Sequence, residues 1–166
     1  MQPDQPTFPY PAESNAFLAG HARLLRLSFR ALTGRPLIEE DADDGLGDAA
    51  AARTLFEAPF ALLSHDASPD PVLNYGNRTA LDLFELDWER LTRMPSRLTA
   101  EAKNRAERER VLAAVRARGF IDDYSGIRVS AGGRRFKIER ATVWNLNDQA
   151  GTRRGQAAVF RLWTCL

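Results

Sequence analysis

Three stretches at the end of the chain decide the fold: FIDDYSGIRVS (120–130), RRFKIERATVWNLN (134–147) and GQAAVFRLWTCL (155–166). The segments between them, AGG (131–133) and DQAG (148–151), are typical of hairpin connections. We therefore predict three antiparallel strands. Strict alternation along the middle strand places Arg135, Lys137, Glu139 and Asn145 on a solvent face. The same alternation predicts one covered face formed by Phe136, Ile138, Arg140, Thr142, Trp144 and Leu146.

The segment before these strands, TAEAKNRAERERVLAAVRARG (99–119), has the pattern of a long helix. Gly119 is suited to end it, because glycine adopts a left-handed conformation without strain. The arginines and glutamates are expected to be mostly solvated. The predicted inward face consists of Ala102, Ala106, Leu112 and Val115.

An earlier hairpin is predicted from FALLSHD (60–66) and VLNYGN (72–77), with a turn between them. Asn77 then precedes a helical pattern, so its side chain is expected to accept a hydrogen bond from the backbone of Thr79 or Ala80. The element order becomes β-β-α-α-α-β-β-β. This order predicts an α+β fold, a five-stranded antiparallel sheet covered by helices with space between them.

The N-terminal third divides into two parts by composition. Residues 1–13 are proline-rich and predict an irregular arm, and residues 14–58 predict a helical extension with the acidic linker EEDADDGLGD (39–48). On the helix over residues 14–33, Leu27 and Phe29 lie off the main apolar stripe, which suggests an interface in a homodimer. The alternative is a helix folded back onto its own sheet. The core is predicted over residues 59–166.

Composition and charge exclude several classes. The chain has 166 residues, is 44% hydrophobic and has one cysteine. It has no apolar run long enough to span a membrane, and its N-terminus does not resemble a secretory signal, so we expect a cytoplasmic protein. Residues 1–89 carry 6 basic and 15 acidic side chains, whereas residues 90–166 carry 17 and 7. Mutual neutralisation explains this asymmetry better than nucleic-acid binding, because no known groove-binding motif accompanies the arginines.

Several separated motifs together resemble the MEKHLA domain, over about residues 15–164. They are VLNYGN, ALDLFELDWERLTRMPSRLTAE, ERERVL, GFIDDYSGIRVS, GRRFKIERATVWNLND and GQAAVF. The resemblance implies a fold similar to the PAS domain, in the stand-alone form known from bacteria. It implies a sensory or regulatory module without enzymatic activity. In plant transcription factors the domain follows a homeodomain, which this chain lacks, so no direct DNA binding is implied.

The residues themselves offer little for catalysis or for a resident cofactor. The two histidines, His21 and His65, lack a nucleophile or metal-ligand pattern, and no glycine-rich phosphate loop is present. Photosensory PAS relatives use a helix cysteine against a chromophore, whereas Cys165 lies in the last predicted strand. We therefore expect neither enzymatic activity nor a cofactor.

A pocket for a small organic ligand is the leading functional hypothesis. Arg140 on a covered face requires an anionic partner. That partner is either an internal carboxylate (Asp122, Asp123 or Glu85) or the carboxylate of a ligand. The predicted ligand-binding residues are Tyr124, Arg140, Thr142, Trp144 and Phe160. The alternative function is a dimerisation or protein-interaction domain with a filled core and no ligand.

Overall fold

The computed structural model describes residues 8–39 and 47–166. Predictions for residues 1–7 of the arm and 40–46 of the acidic linker lie outside the described residues. The elements are α1 (Ala19–Thr33), α2 (Asp48–Glu57), β1 (Ala61–Asp66), β2 (Leu73–Gly76), α3 (Arg78–Phe84), α4 (Trp88–Leu91), α5 (Arg105–Arg118), β3 (Phe120–Val129), β4 (Arg135–Asn147), β5 (Arg153–Phe160) and β6 (Leu162–Cys165).

The strands form one antiparallel sheet in the order β2-β1-β5-β4-β3, as expected for a PAS-like α+β fold. The last predicted strand is divided in two. β5 pairs with the second half of β4, where Val159 opposes Thr142, and β6 pairs with the first half, where Leu162 opposes Glu139. The sheet therefore has six strands in the described part of the chain rather than five.

The division of the last strand accompanies a bulge in β4 at Arg140. This residue has a φ of 52°, in the left-handed region, and its side chain is exposed. The bulge reverses the alternation of the strand. Before it, Phe136 packs against Phe84 of α3, whereas after it Trp144 packs edge-on against Phe29 of α1 at 4.9 Å. The prediction that all six residues share one covered face is therefore wrong.

Helices lie on both faces of the sheet. On one side lie α3 and α5, and on the other lies α1, which places its buried residues Ala22, Leu25 and Phe29 toward the sheet. The predicted solvent face is wrong at Asn145, which is buried. The N-terminal extension thus folds back onto its own sheet.

The inward face of α5 also differs from the prediction. Arg108 is buried, with 6% of its surface exposed, and Leu112 and Val115 are also buried. Ala102 and Ala106 are exposed. Gly119 ends the helix at the expected position, and its N–H donates to Val115 O at 2.8 Å, but its φ of 98° and ψ of −45° lie outside the expected αL region. A buried arginine on α5 brings a positive charge into the space between helix and sheet.

Candidate functional site

A cavity of about 70 Å³ lies between the sheet and α3 and α5. Its wall is mostly apolar, and the apolar lining residues are Leu63, Leu73, Phe84, Val111, Leu112, Ile138, Val143, Ala157, Ala158 and Phe160. The polar lining residues are Ser64, His65, Ser96, Thr99, Arg108, Tyr124, Arg128 and Gln156. An apolar cavity with a few polar groups is typical of a small-molecule site.

Two amides join α5 to the sheet beside the cavity. Asn145 Nδ2 donates to Val115 O at 3.0 Å, and Gln156 Nε2 donates to Leu112 O and to Asn145 Oδ1, both at 3.1 Å. These contacts fix the orientation of both amides, because each NH₂ group faces acceptors. Gln156 Oε1 is buried and has no hydrogen-bond partner among the described residues.

His65 lies opposite Gln156 in the register of β1 and β5. Its Nδ1 lies 2.8 Å from Asp66 O, so Nδ1 carries the hydrogen and Nε2 presents a lone pair. Within residues 8–39 and 47–166, Nε2 has no partner. Burial lowers the pKa of His65 to about 4 and keeps the ring neutral at physiological pH. Two unpaired acceptors therefore stand on neighbouring strands at the wall of the cavity.

Arg108 provides a charge at the same wall. Its Nη2 donates to Ser96 Oγ at 2.9 Å, and its Nη1 lies 3.5 Å from the carboxylate of Glu109, whose side chain is 59% exposed. Burial, with the nearby charge of Arg128, lowers the pKa of Arg108 to about 10, so the guanidinium remains charged at neutral pH.

Arg128 of β3 is the second cation at the cavity. Its guanidinium lies over the ring of Tyr124 at 5.6 Å, and Nη2 donates to the Tyr124 hydroxyl at 3.2 Å. Of the described residues that line the cavity, two are arginines and none is Asp or Glu. The cavity wall is therefore cationic.

The structure brings only two of the five predicted ligand residues to this cavity, Tyr124 and Phe160. Trp144 is buried on the opposite face of the sheet, because the bulge at Arg140 intervenes. Arg140 and Thr142 lie along an open groove between α1 and the sheet, and Phe160 also borders this groove.

Two polar residues of that groove, Thr142 and Asp122, already have partners within the chain. Thr142 Oγ1 donates to Asp122 Oδ1 at 2.6 Å, and Arg35 lies 3.0 Å from the same carboxylate. The Thr142 hydrogen bond and the Arg35 charge lower the pKa of Asp122. Arg140 is exposed to solvent, so the argument that a covered guanidinium demands an anion does not apply to it.

The two predicted interface residues differ in exposure. Leu27 is 44% exposed, whereas Phe29 is 6% exposed and packs against Trp144 of its own chain. The expectation that Phe29 lies on a second, exposed surface of α1 is wrong. Its place off the main stripe reflects contact with the sheet.

A buried histidine–serine pair lies on the α1 side of the sheet. His21 Nε2 is 2.9 Å from Ser64 Oγ, which donates to Asn74 Oδ1 at 2.6 Å. Since Ser64 donates to Asn74, His21 must donate to Ser64, which is opposite to the activation of a nucleophile. Burial also lowers the pKa of His21 to about 4. This pair holds α1 on the sheet.

Residues 8–39 and 47–166 contain neither a metal-binding cluster nor a membrane-spanning helix. No group of three or more His, Cys, Asp and Glu side chains there is placed to hold a metal ion. No described helix has the length and apolar character needed to cross a bilayer.

Some of the cavity residues had a signal in the sequence. Arg108 precedes Leu112 by four residues and Val115 by seven, the spacing of one helical face. His65 follows Leu63 by two residues, which places both side chains on one face of a strand. The charge of Arg108, by contrast, predicts a solvated side chain.

The family model of the MEKHLA domain matches residues 19–165. The chain belongs to the MEKHLA domain family. A comparison with the curated proteins gave no match. The structure is also similar to solved PAS and LOV domains, so the chain has a PAS-like fold.

Three solved structures illustrate the likeness of this MEKHLA domain. A PAS domain from Colwellia psychrerythraea is 13% identical with a TM-score of 0.58, over 69% of this chain and 92% of the other. A fungal LOV photoreceptor domain is 17% identical with a TM-score of 0.53, over 89% and 91%. A PAS domain of a LuxR-family regulator from Burkholderia thailandensis, in complex with ethanol, is 22% identical with a TM-score of 0.50, over 69% and 95%.

Proposed function

We propose that this MEKHLA domain is a non-catalytic sensory or regulatory module that binds a small organic molecule in the cavity between sheet and helices. The observation that carries the proposal is the cavity itself. It is bounded by β1, β3, β4, β5 and α5, so an occupant would contact most of the elements of the core. Binding there would stabilise the packing of α5 on the sheet, which gives a physical route from ligand to response.

The size of the cavity limits the occupant. An engineered protein cavity of about 150 Å³ holds benzene, so about 70 Å³ fits a molecule of only a few heavy atoms. The Burkholderia thailandensis PAS domain, a complex with ethanol, supports an occupant of this size.

A flavin, by contrast, does not fit the residues present. The cavity is too small for its ring system, and Cys165 is an exposed residue of β6 that does not line the cavity. We therefore propose no chromophore for this chain.

The proposal is tested by filling the cavity. Ala158 lines it, so Ala158→Val inserts two methyl groups, whereas Ala67→Val makes the same change at an exposed turn position. Small alcohols, ethanol among them, should raise the melting temperature of the wild type and of Ala67→Val but not of Ala158→Val. Native mass spectrometry of the purified protein would identify a retained occupant. An equal response of the two variants would contradict the proposal.

A dimerisation module is the second candidate. The observation that favours it is the exposed apolar side chain of Leu27 on α1. If α1 pairs with a second copy, Leu27→Glu should lower the mass measured by light scattering from dimer to monomer. A wild-type chain that is monomeric at high micromolar concentration would exclude this candidate.

A further inference from the structure

We infer that the cavity takes a short-chain carboxylate, with the carboxylate at Arg108 and Arg128 and the carbon chain against Leu112, Ile138 and Val143. This inference rests on the proposed function, because it names the class of molecule that the same cavity binds. It assigns a role to Arg108, Arg128, His65 and Gln156, none of which the sequence singled out as ligand-binding.

The charge of the cavity wall is the first argument. Two guanidinium groups border one small space, and no described lining residue is acidic. The acids that act on Arg108 from outside are Glu109, 59% exposed, and Asp70, which pairs with Arg97. Like charges near each other in a poorly solvated space repel, and an anion between them converts this repulsion into two favourable pairs.

The shape of the wall is the second argument. Apart from His65 and Gln156, the remaining wall is apolar; the charged and hydroxyl groups are contributed by Ser64, Ser96, Thr99, Arg108, Tyr124 and Arg128. Such a division suits a ligand with one anionic end and a short apolar chain. Since the volume is about 70 Å³, acetate and molecules slightly larger fit, whereas aromatic and dicarboxylic acids do not.

The two unpaired acceptors indicate which carboxylates the cavity favours. His65 Nε2 and Gln156 Oε1 are buried atoms without partners among the described residues, and both side chains line the cavity. An unpaired buried acceptor is costly, and a hydroxyl group on the ligand would donate to one of them. A 2-hydroxy acid such as glycolate should therefore bind more tightly than acetate.

The experiment uses the full chain and three probes: sodium acetate, sodium glycolate and ethanol, with sodium chloride as the ionic-strength control. Arg108→Met removes the charge but keeps the apolar stem, and Arg110→Met makes the same change at an exposed position of α5. We expect both carboxylates to raise the melting temperature of wild type and Arg110→Met, glycolate more than acetate. In Arg108→Met, carboxylate binding should weaken on the order of 30-fold while the ethanol response persists.

The outcomes separate this inference from the proposed function. Ethanol binding without carboxylate binding in the wild type, or unchanged carboxylate binding in Arg108→Met, overturns the inference and leaves the proposed function standing. Carboxylate binding that survives Ala158→Val also overturns it, because the anion then lies elsewhere. If no probe binds, both fall.

A second measurement does not depend on how the variants fold. Nuclear Overhauser contacts from the methyl group of ¹³C-labelled acetate to the methyl groups of Leu112, Ile138 and Val143 in the wild type would support the inference. Contacts to other methyl groups alone would overturn it.

Discussion

The side-chain oxygen of Asn77 accepts a hydrogen bond from the backbone N–H of Leu62 at 3.1 Å. The same oxygen accepts from Ala80 N–H at 3.1 Å, so the predicted helix cap is confirmed. The side-chain NH₂ group donates to Leu55 O at 3.1 Å and to Phe60 O at 2.8 Å. One fully buried amide therefore joins α2, the start of β1 and the first turn of α3.

Replacing Asn77 should accordingly be far more damaging than the loss of an ordinary cap. Asn77→Ala should lower the free energy of unfolding by about 3 kcal/mol, because it leaves several buried backbone groups unpaired. Asp87→Ala is the matched control: Asp87 is also a cap, accepting from Arg90 N at 2.7 Å, but it is exposed. That control should cost about 1 kcal/mol in urea unfolding. Equal losses in the two variants would contradict the prediction.

The second prediction concerns Phe29 and the attachment of α1. Phe29→Ala should destabilise the protein by about 3 kcal/mol, because Phe29 is buried against Trp144. Leu27→Ala, two residues earlier on the same helix, should change stability by less than about 0.5 kcal/mol, since Leu27 is largely exposed. Chemical denaturation of the two variants checks the contrast. A large loss at Leu27 and a small one at Phe29 would mean that the opposite face of α1 contacts the sheet.

The third prediction is a loss of stability in mild acid. Burial lowers the pKa values of His21 and His65 to about 4, below the usual value of about 6.5 that applies in the unfolded chain. Between these values the unfolded chain binds protons that the folded chain does not, so stability falls as the pH falls. Each histidine should contribute a slope of up to about 1.4 kcal/mol per pH unit.

The variant His65→Gln tests this by removing one of the two groups. Between pH 5 and 6.5 the slope of the unfolding free energy against pH should decrease by about half. Hydrogen bonding by Thr142 lowers the pKa of Asp122, so the stability that this carboxylate contributes is lost only at more acid pH. A slope that stays the same in the variant would show that other groups cause the acid sensitivity.

Local patterns were enough to predict β1 to β4, the hairpins, the long helix and the cap at Asn77. They were enough for the PAS-like order as well, because each of these depends on residues close together in the chain. The site was mostly missed. Arg108 has the spacing of an inward residue, but a buried arginine depends on Ser96 and on the shape of the cavity, which are tertiary properties.

The bulge is the clearest case of information that the pattern lacked. A single residue in a left-handed conformation moved Thr142 and Trp144 to the other face of the sheet. Nothing in the side chain of Arg140 favours that conformation, since glycine and asparagine are the usual residues there. The bulge lies at the point where β5 ends and β6 begins on the neighbouring strand, which is a feature of strand pairing rather than of local sequence.

The last prediction concerns the left-handed conformation of Arg140. An L-residue in the left-handed region costs about 1–2 kcal/mol, and glycine avoids that strain while losing more backbone entropy on folding. Arg140→Gly should therefore be neutral or stabilising, by up to about 1 kcal/mol, whereas Arg140→Val should destabilise by about 1–2 kcal/mol because a β-branched residue tolerates positive φ poorly.

Lys137→Gly is the control, because Lys137 is an exposed residue of the same strand that does not have a positive φ. It should lower stability by about 1 kcal/mol, the usual effect of glycine within a strand. The opposite signs expected at positions 137 and 140 are the diagnostic result in thermal or urea unfolding. Equal destabilisation by glycine at both positions would contradict the prediction, because it would mean that β4 is regular at Arg140. A regular β4 would place Trp144 on the same face as Phe136 and Ile138.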